Sequence, residues 1–193
     1  MKRSYFNKNN NLRSLIGIIF CIFTLYINAQ SPEIKKGKKA NFIIAYNITE
    51  KNEGGYVNDP KDNGGETYKG ISRKSNSNWD AWIIIDSCKK NNKNFKKILP
   101  TIIKLELSVQ KLYKRKYWDK MRGDEFLNQD IANKLYDTCV NVGVVTAIRL
   151  FQESLFGFSP NESGSVISDL IKRKGVKYGQ MDDNTLNIAN SFN

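Results

Sequence analysis

Residues 53–72, EGGYVNDPKDNGGETYKGIS, place five glycines, two asparagines and a proline in twenty positions. No helix runs through such a stretch, because glycine loses the most chain entropy on being fixed and proline lacks the N–H a helix needs. The chain must turn there, and Gly, Asn, Asp and Pro are the residues a tight hairpin takes. Apolar residues recur at helical spacing on both sides of it. Over 40–53, Phe42, Ala45, Ile48 and Thr49 share a stripe, with Glu53 close to the C-terminal end and Gly54-Gly55 as the stop. A short amphipathic helix led by Trp79 and Trp82 follows over 78–90. Beyond Pro100, Ile102, Leu105, Val109, Leu112 and Lys116 line one face, with Tyr113 and Tyr117 beside it. Residues 130–143 predict a helix ending near Gly143, and Thr146 is placed as the N-cap of the next. Shorter helical pieces cover 166–175 and 182–192, and no internal repeat is visible. The expected fold is mainly α, a helical domain with one irregular β-hairpin.

The N-terminus bears on where such a domain works. Residues 1–14 are polar and carry Lys2, Arg3, Lys8 and Arg13, and 15–29 are the apolar run LIGIIFCIFTLYINA. This is the pattern of a secretory signal peptide, with cleavage expected before Gln30 and export to the periplasm or the exterior. Fifteen residues are short for a spanning helix, and residues 30–40 then read as a solvated basic linker. The formal charge is +12, and loss of the four cations in 1–29 leaves +8. That excess suits an anionic partner: nucleic acid, a membrane surface or a cell-wall polymer. Export and the acidic 53–72 segment disfavour nucleic acid. Cys88 and Cys139 remain after cleavage, two cysteines rather than a framework, and are expected as free thiols.

The chain has no histidine. Serine and cysteine nucleophile systems need an imidazole base, and most catalytic zinc sites need an imidazole ligand. What remains is carboxylate chemistry or none, and no metal or organic cofactor is implied. Glu53 at a helix end and Asp62 past the turn at Pro60 can face each other across a groove. Glycoside hydrolysis needs such a pair: one carboxylic acid protonates the leaving oxygen, and a second carboxylate assists water or the developing cation. Carboxyls ~6.5–9.5 Å apart suit inversion and ~5 Å retention. Glu66 and Asp59 are rivals for the second role, and plain turn chemistry also accounts for the spacing. Gly54, Gly55, Gly64 and Gly65 would keep the groove open for a sugar chain, with Tyr56 as a wall. Trp79, Trp82 and Trp118 are expected in the core.

The segment EGGYVNDPKDNGGETYKGIS resembles the signature of glycoside hydrolase family 108, lysozyme-like N-acetylmuramidases that cut bacterial peptidoglycan. YKRKYWDKM is similar to the family's Tyr-x3-Tyr-Trp helix, and ANKLYDTCVNVG to its Phe-Asp-x3-Asn-x-Gly helix, with Tyr136 in place of phenylalanine. The resemblance implies an α+β lysozyme-like fold over 41–144, with Glu53 as proton donor. A second resemblance, to phage-type lysozymes, implies Asp62 as the second carboxylate and Thr67 as the residue that positions water. Thr67 here follows Asp62 one residue sooner than in those enzymes. Residues 145–193 are similar to the peptidoglycan-binding region that follows the catalytic domain, through the Gln152 helix and the Asp183-x-Thr185 turn. The expected activity is cleavage between N-acetylmuramic acid and N-acetylglucosamine, and the expected partner is the glycan strand of peptidoglycan. Two other readings stand beside it. One is a lytic transglycosylase working with a single acid; the other is a non-catalytic wall-binding or secretion-helper protein.

Overall fold

The computed structural model describes residues 38–50, 54–59, 65–157 and 164–192. The signal-peptide reading of 1–29, most of the linker, and Glu53, Asp62 and the Pro60 turn lie outside them. The described chain is mainly helical with one small antiparallel sheet, and forms two compact units, one within Phe42–Lys116 and the other made of the described residues of 38–41 and 117–192.

The unit Phe42–Lys116 opens with helix α1 (Phe42–Glu50), whose buried residues are Phe42, Ala45, Tyr46 and Thr49. The helical stripe therefore runs through Tyr46 rather than Ile48, which is about half exposed. A residue at i+4 from Phe42 sits above it, whereas i+6 points well round the helix. Three two-residue strands follow, β1 (Tyr56–Val57), β2 (Thr67–Tyr68) and β3 (Ile71–Ser72), in the order β1-β2-β3. Tyr56 pairs with Tyr68, and Tyr68 with Ile71. Lys69 and Gly70 alone join β2 to β3, with φ of 45° and 71°. Positive φ at both positions makes a type I′ turn, whose twist matches that of the strands. The hairpin reading of this segment thus becomes a three-stranded meander.

Helices α2 (Trp82–Asn91), α3 (Phe95–Ile98) and α4 (Ile103–Tyr113) complete this unit. Leu105, Val109, Leu112 and Tyr113 are the buried face of α4, as the sequence spacing predicts. Trp79 and Trp82 are both buried, ring edge on ring face with centroids 5.1 Å apart.

A π turn (Lys114–Trp118) extends α4 and leads into the other unit. There α5 (Gln129–Val142) is capped by the Asn128 side chain, which accepts from the N–H groups of Asp130 and Ile131 at 3.0 and 3.1 Å. Helix α6 (Val144–Leu155) starts at once after Gly143, whose φ of 84° breaks the helical path in a single residue. Thr146 is therefore inside α6 and not its cap. Helices α7 (Gly164–Arg173) and α8 (Asp183–Asn190) follow.

Trp118 is fully buried against Tyr136, with ring centroids 5.9 Å apart, and its indole N–H donates to Asp124 Oδ1 at 2.7 Å. Gly123 lies against the same indole so closely that a Cβ there would stand 2.2 Å from a ring carbon. Trp118 and Tyr136, one from each helical motif, thus build core. Gln152, also fully buried, shares the two protons of Nε2 among three acceptors within 3.0 Å, the carbonyls of Lys177 and Gln180 and Thr185 Oγ1, and accepts from Gly179 N–H at 2.8 Å. One amide thus satisfies the loop between α7 and α8. The side chain that caps α8 is Asp182, accepting from Thr185 N–H at 2.8 Å. Asp183 instead pairs with Arg122 at 2.6 Å.

Candidate active site

Of the residues the sequence singles out, Gly54, Gly55, Tyr56, Gly65 and Thr67 are described, and they cluster on the small sheet and its edge. Gly54 and Gly55 are exposed, just ahead of β1. A Cβ built on either would meet nothing within 4 Å, so the fold does not require glycine there. Gly65, with φ of 64°, does need glycine's freedom on the way into β2. Thr67 opens β2, and its hydroxyl donates to the Gly65 carbonyl at 3.1 Å. That bond uses the hydroxyl's only proton, so toward any other group Thr67 acts as an acceptor.

Tyr56 is half-buried and held on both sides. Its ring meets Phe95 edge to face at 4.9 Å, and its hydroxyl donates to Glu66 Oε1 at 2.6 Å. Glu66 is occupied further. Lys89 Nζ donates to Oε1 at 2.7 Å, and Arg73 Nε stands 2.6 Å from Oε2 as an ion pair, off the line of a hydrogen bond. Arg73 also forms a two-pronged pair with Asp86 and lies 4.3 Å over the Trp82 ring. Burial pushes the Glu66 carboxyl up, but the hydrogen bonds from Lys89 and Tyr56 and the charge of Arg73 outweigh it, so the group lies below its ordinary value. Glu66 stays ionised and committed. It is an anchor tying the sheet to α2, poorly suited to release a proton or hold a reacting water.

A second cluster escapes the sequence reading. Lys69, held in the left-handed region at the turn, sends its ammonium to Glu50 at the last described residue of α1 and to Glu106 Oε2 on α4 at 2.6 Å. Tyr46 donates to Glu106 Oε1 at 2.8 Å, and Tyr113 to the Lys69 carbonyl at 2.9 Å. Burial opposes the charge on Lys69, but the hydrogen bonds to Glu106 and Glu50 raise its pKa above the ordinary lysine value. Burial likewise opposes Glu106, which the hydrogen bonds from Lys69 and Tyr46 hold below its ordinary value. The C-terminal turn of α1, three residues ahead of Glu53, is therefore pinned to the sheet and to α4. The only sequence signal was Tyr68-Lys69-Gly70-Ile71, a two-residue turn that lacks the Asn-Gly or Asp-Gly pair that marks such turns best. Among the described residues no group of three or more His, Cys, Asp or Glu side chains is arranged to hold a metal ion.

The segment that carries this sheet, its two ion clusters and the aromatic motif residues coincides with a known family. The family model for Glycosyl hydrolase 108 matches residues 46–143. The chain belongs to glycosyl hydrolase family 108. That match covers half of the chain and includes Glu53, Asp62 and Thr67 together with the sheet, α4 and α5. The searches of curated proteins and of solved structures found no match. Family 108 membership makes the protein a glycoside hydrolase, and the rest of the candidate site is read on that basis.

Proposed function

We propose that the protein is an N-acetylmuramidase that hydrolyses the bond between N-acetylmuramic acid and N-acetylglucosamine in peptidoglycan. The observation that carries the proposal is the family 108 match over 46–143, which contains the Glu53–Thr67 segment. In this reading Glu53 protonates the glycosidic oxygen, and Asp62 either activates water or stabilises the developing oxocarbenium ion. The three-way commitment of Glu66 favours Asp62 over Glu66 as the second carboxylate. Thr67, whose proton is already given to Gly65, would hold a water by one of the water's protons and leave its lone pair free for the sugar. Open space at Gly54 and Gly55 is consistent with room reserved for substrate. Residues 1–29 would direct export, and residues 145–193, braced by Gln152, would serve as a wall-binding region.

The test is mass spectrometry of fragments released from purified sacculi by the wild type and by Glu53→Gln. Reducing N-acetylmuramic acid ends are expected, and the variant should lose at least ~10²-fold in rate while remaining folded. Anhydro ends would make the protein a lytic transglycosylase. Reducing N-acetylglucosamine, or freed peptides with uncut glycan, would refute the bond assignment. Near-wild-type lysis by a folded Glu53→Gln would refute the proton donor.

A further inference from the structure

A cleft of about 480 Å³ opens in the unit Phe42–Lys116, and none of its described lining residues belongs to the candidate catalytic set. One wall is a face of α4 and the π turn that continues it, carrying Lys104, Lys111 and Arg115. The spacing i, i+7, i+11 stacks these cations along one side of the helix. All three are exposed, and none is ion-paired with another described residue. Asn76, Asn78 and Trp79 also line the cleft, and Asn76 Nδ2 donates to the Ser72 carbonyl at 3.0 Å. Asp80 is the one carboxylate among the described lining residues, which therefore carry a net positive charge.

Such an arrangement is mildly unfavourable in the free protein, since like charges at i, i+4, as at Lys111 and Arg115, slightly destabilise a helix. Glu106 cannot offset them, because it is bound to Lys69. At ~1.5 Å rise per residue the cations stand ~10 Å and ~6 Å apart along the axis. One small anion cannot reach all three, whereas an extended chain of oxyanions can. The asparagines and the tryptophan that also line the cleft suit the neutral sugar, polyol or peptide backbone that links those oxyanions.

We propose that this cleft binds the anionic part of the wall polymer, an extended run of oxyanions supplied by stem-peptide carboxylates or by polyol phosphates. The inference rests on the wall-hydrolase reading above and adds a second contact, made by residues that do no chemistry. The triple variant Lys104→Gln/Lys111→Gln/Arg115→Gln removes the contact. A control, Lys38→Gln/Lys39→Gln/Lys120→Gln, removes the same charge from three exposed residues that lie outside the cleft and outside residues 145–193.

Binding is measured on whole sacculi, on sacculi stripped of phosphate polymers by hydrofluoric acid, and on sacculi stripped of stem peptides by an amidase. The cleft variant should bind whole sacculi at least ~10-fold more weakly than wild type, with a flatter salt dependence, and the control should change little. The stripped form on which wild type and cleft variant become equal identifies the oxyanion source. Hydrolysis of peptide-free, phosphate-free glycan should proceed at the wild-type rate in the cleft variant. Equal losses in cleft variant and control, or wild-type binding by the cleft variant on every form, would overturn the inference. So would a wild type that binds none of the forms. If the wild type binds but cuts no glycan, the muramidase reading falls, and the comparison of variants still decides the cleft.

Discussion

Replacing Lys69 with methionine removes the ammonium that joins α1, the sheet and α4, and leaves Glu50 and Glu106 without their shared cation. A hydrogen bond to a charged group contributes ~1.5–3 kcal/mol, and breaking a fully buried ion pair costs ~3–5 kcal/mol. The two carboxylate side chains are 30% and 27% exposed, so water recovers part of the loss. The expected cost is ~2–3 kcal/mol, or ~4–12 °C in Tm at ~2–4 °C per kcal/mol for a chain of this size. Lys69→Gly should lose less, because glycine relieves ~1 kcal/mol of strain at a φ of 45°. The pH dependence identifies the cause. Glu106 lies below its ordinary value of 4.5, so its contribution is full above that pH and is lost as pH falls through the folded value. Lys69 lies above 10.5, so its contribution is full below that pH and is lost as pH rises through the folded value. The gap in Tm between wild type and Lys69→Met should be flat between these limits and should narrow in acid. Circular dichroism melts across that range measure it. A gap that is absent at neutral pH, or unchanged in acid, would refute the bridge as the source of stability.

Gly123→Ala drives a Cβ into the Trp118 indole, which its bond to Asp124 prevents from yielding, so we expect ~3 kcal/mol of destabilisation in denaturant melts. Gly54→Ala and Gly55→Ala should leave the melting curve within ~0.5 kcal/mol of wild type and reduce sacculus turbidity clearance, since the space they fill is empty in the protein. Cys139 is fully buried, and burial pushes its thiol up to about 12, so a thiol reagent should label it only on unfolding. Glu66→Gln should lower Tm by loosening Lys89 and Arg73 while Asp62→Asn abolishes lysis without unfolding; the reverse pattern in melts and lysis would exchange their roles.

The sequence alone determined the helical stripes, the interruption at 53–72 and the elimination of imidazole chemistry. Each of these depends on local spacing or on composition, which act before any long-range contact forms. It also named the motif residues, but not what each of them does. Tyr113 and Tyr136 read as family markers, and only packing shows that Tyr136 meets the core residue Trp118 while Tyr113 holds the turn at Lys69. Glu66 read as a possible reacting carboxylate because sequence spacing cannot show Arg73 and Lys89 arriving from seven and twenty-three residues away. The same holds for Lys69, whose partners come from nineteen and thirty-seven residues away on two different helices. A charge's role depends on what surrounds it in space, and those neighbours are set when the elements dock.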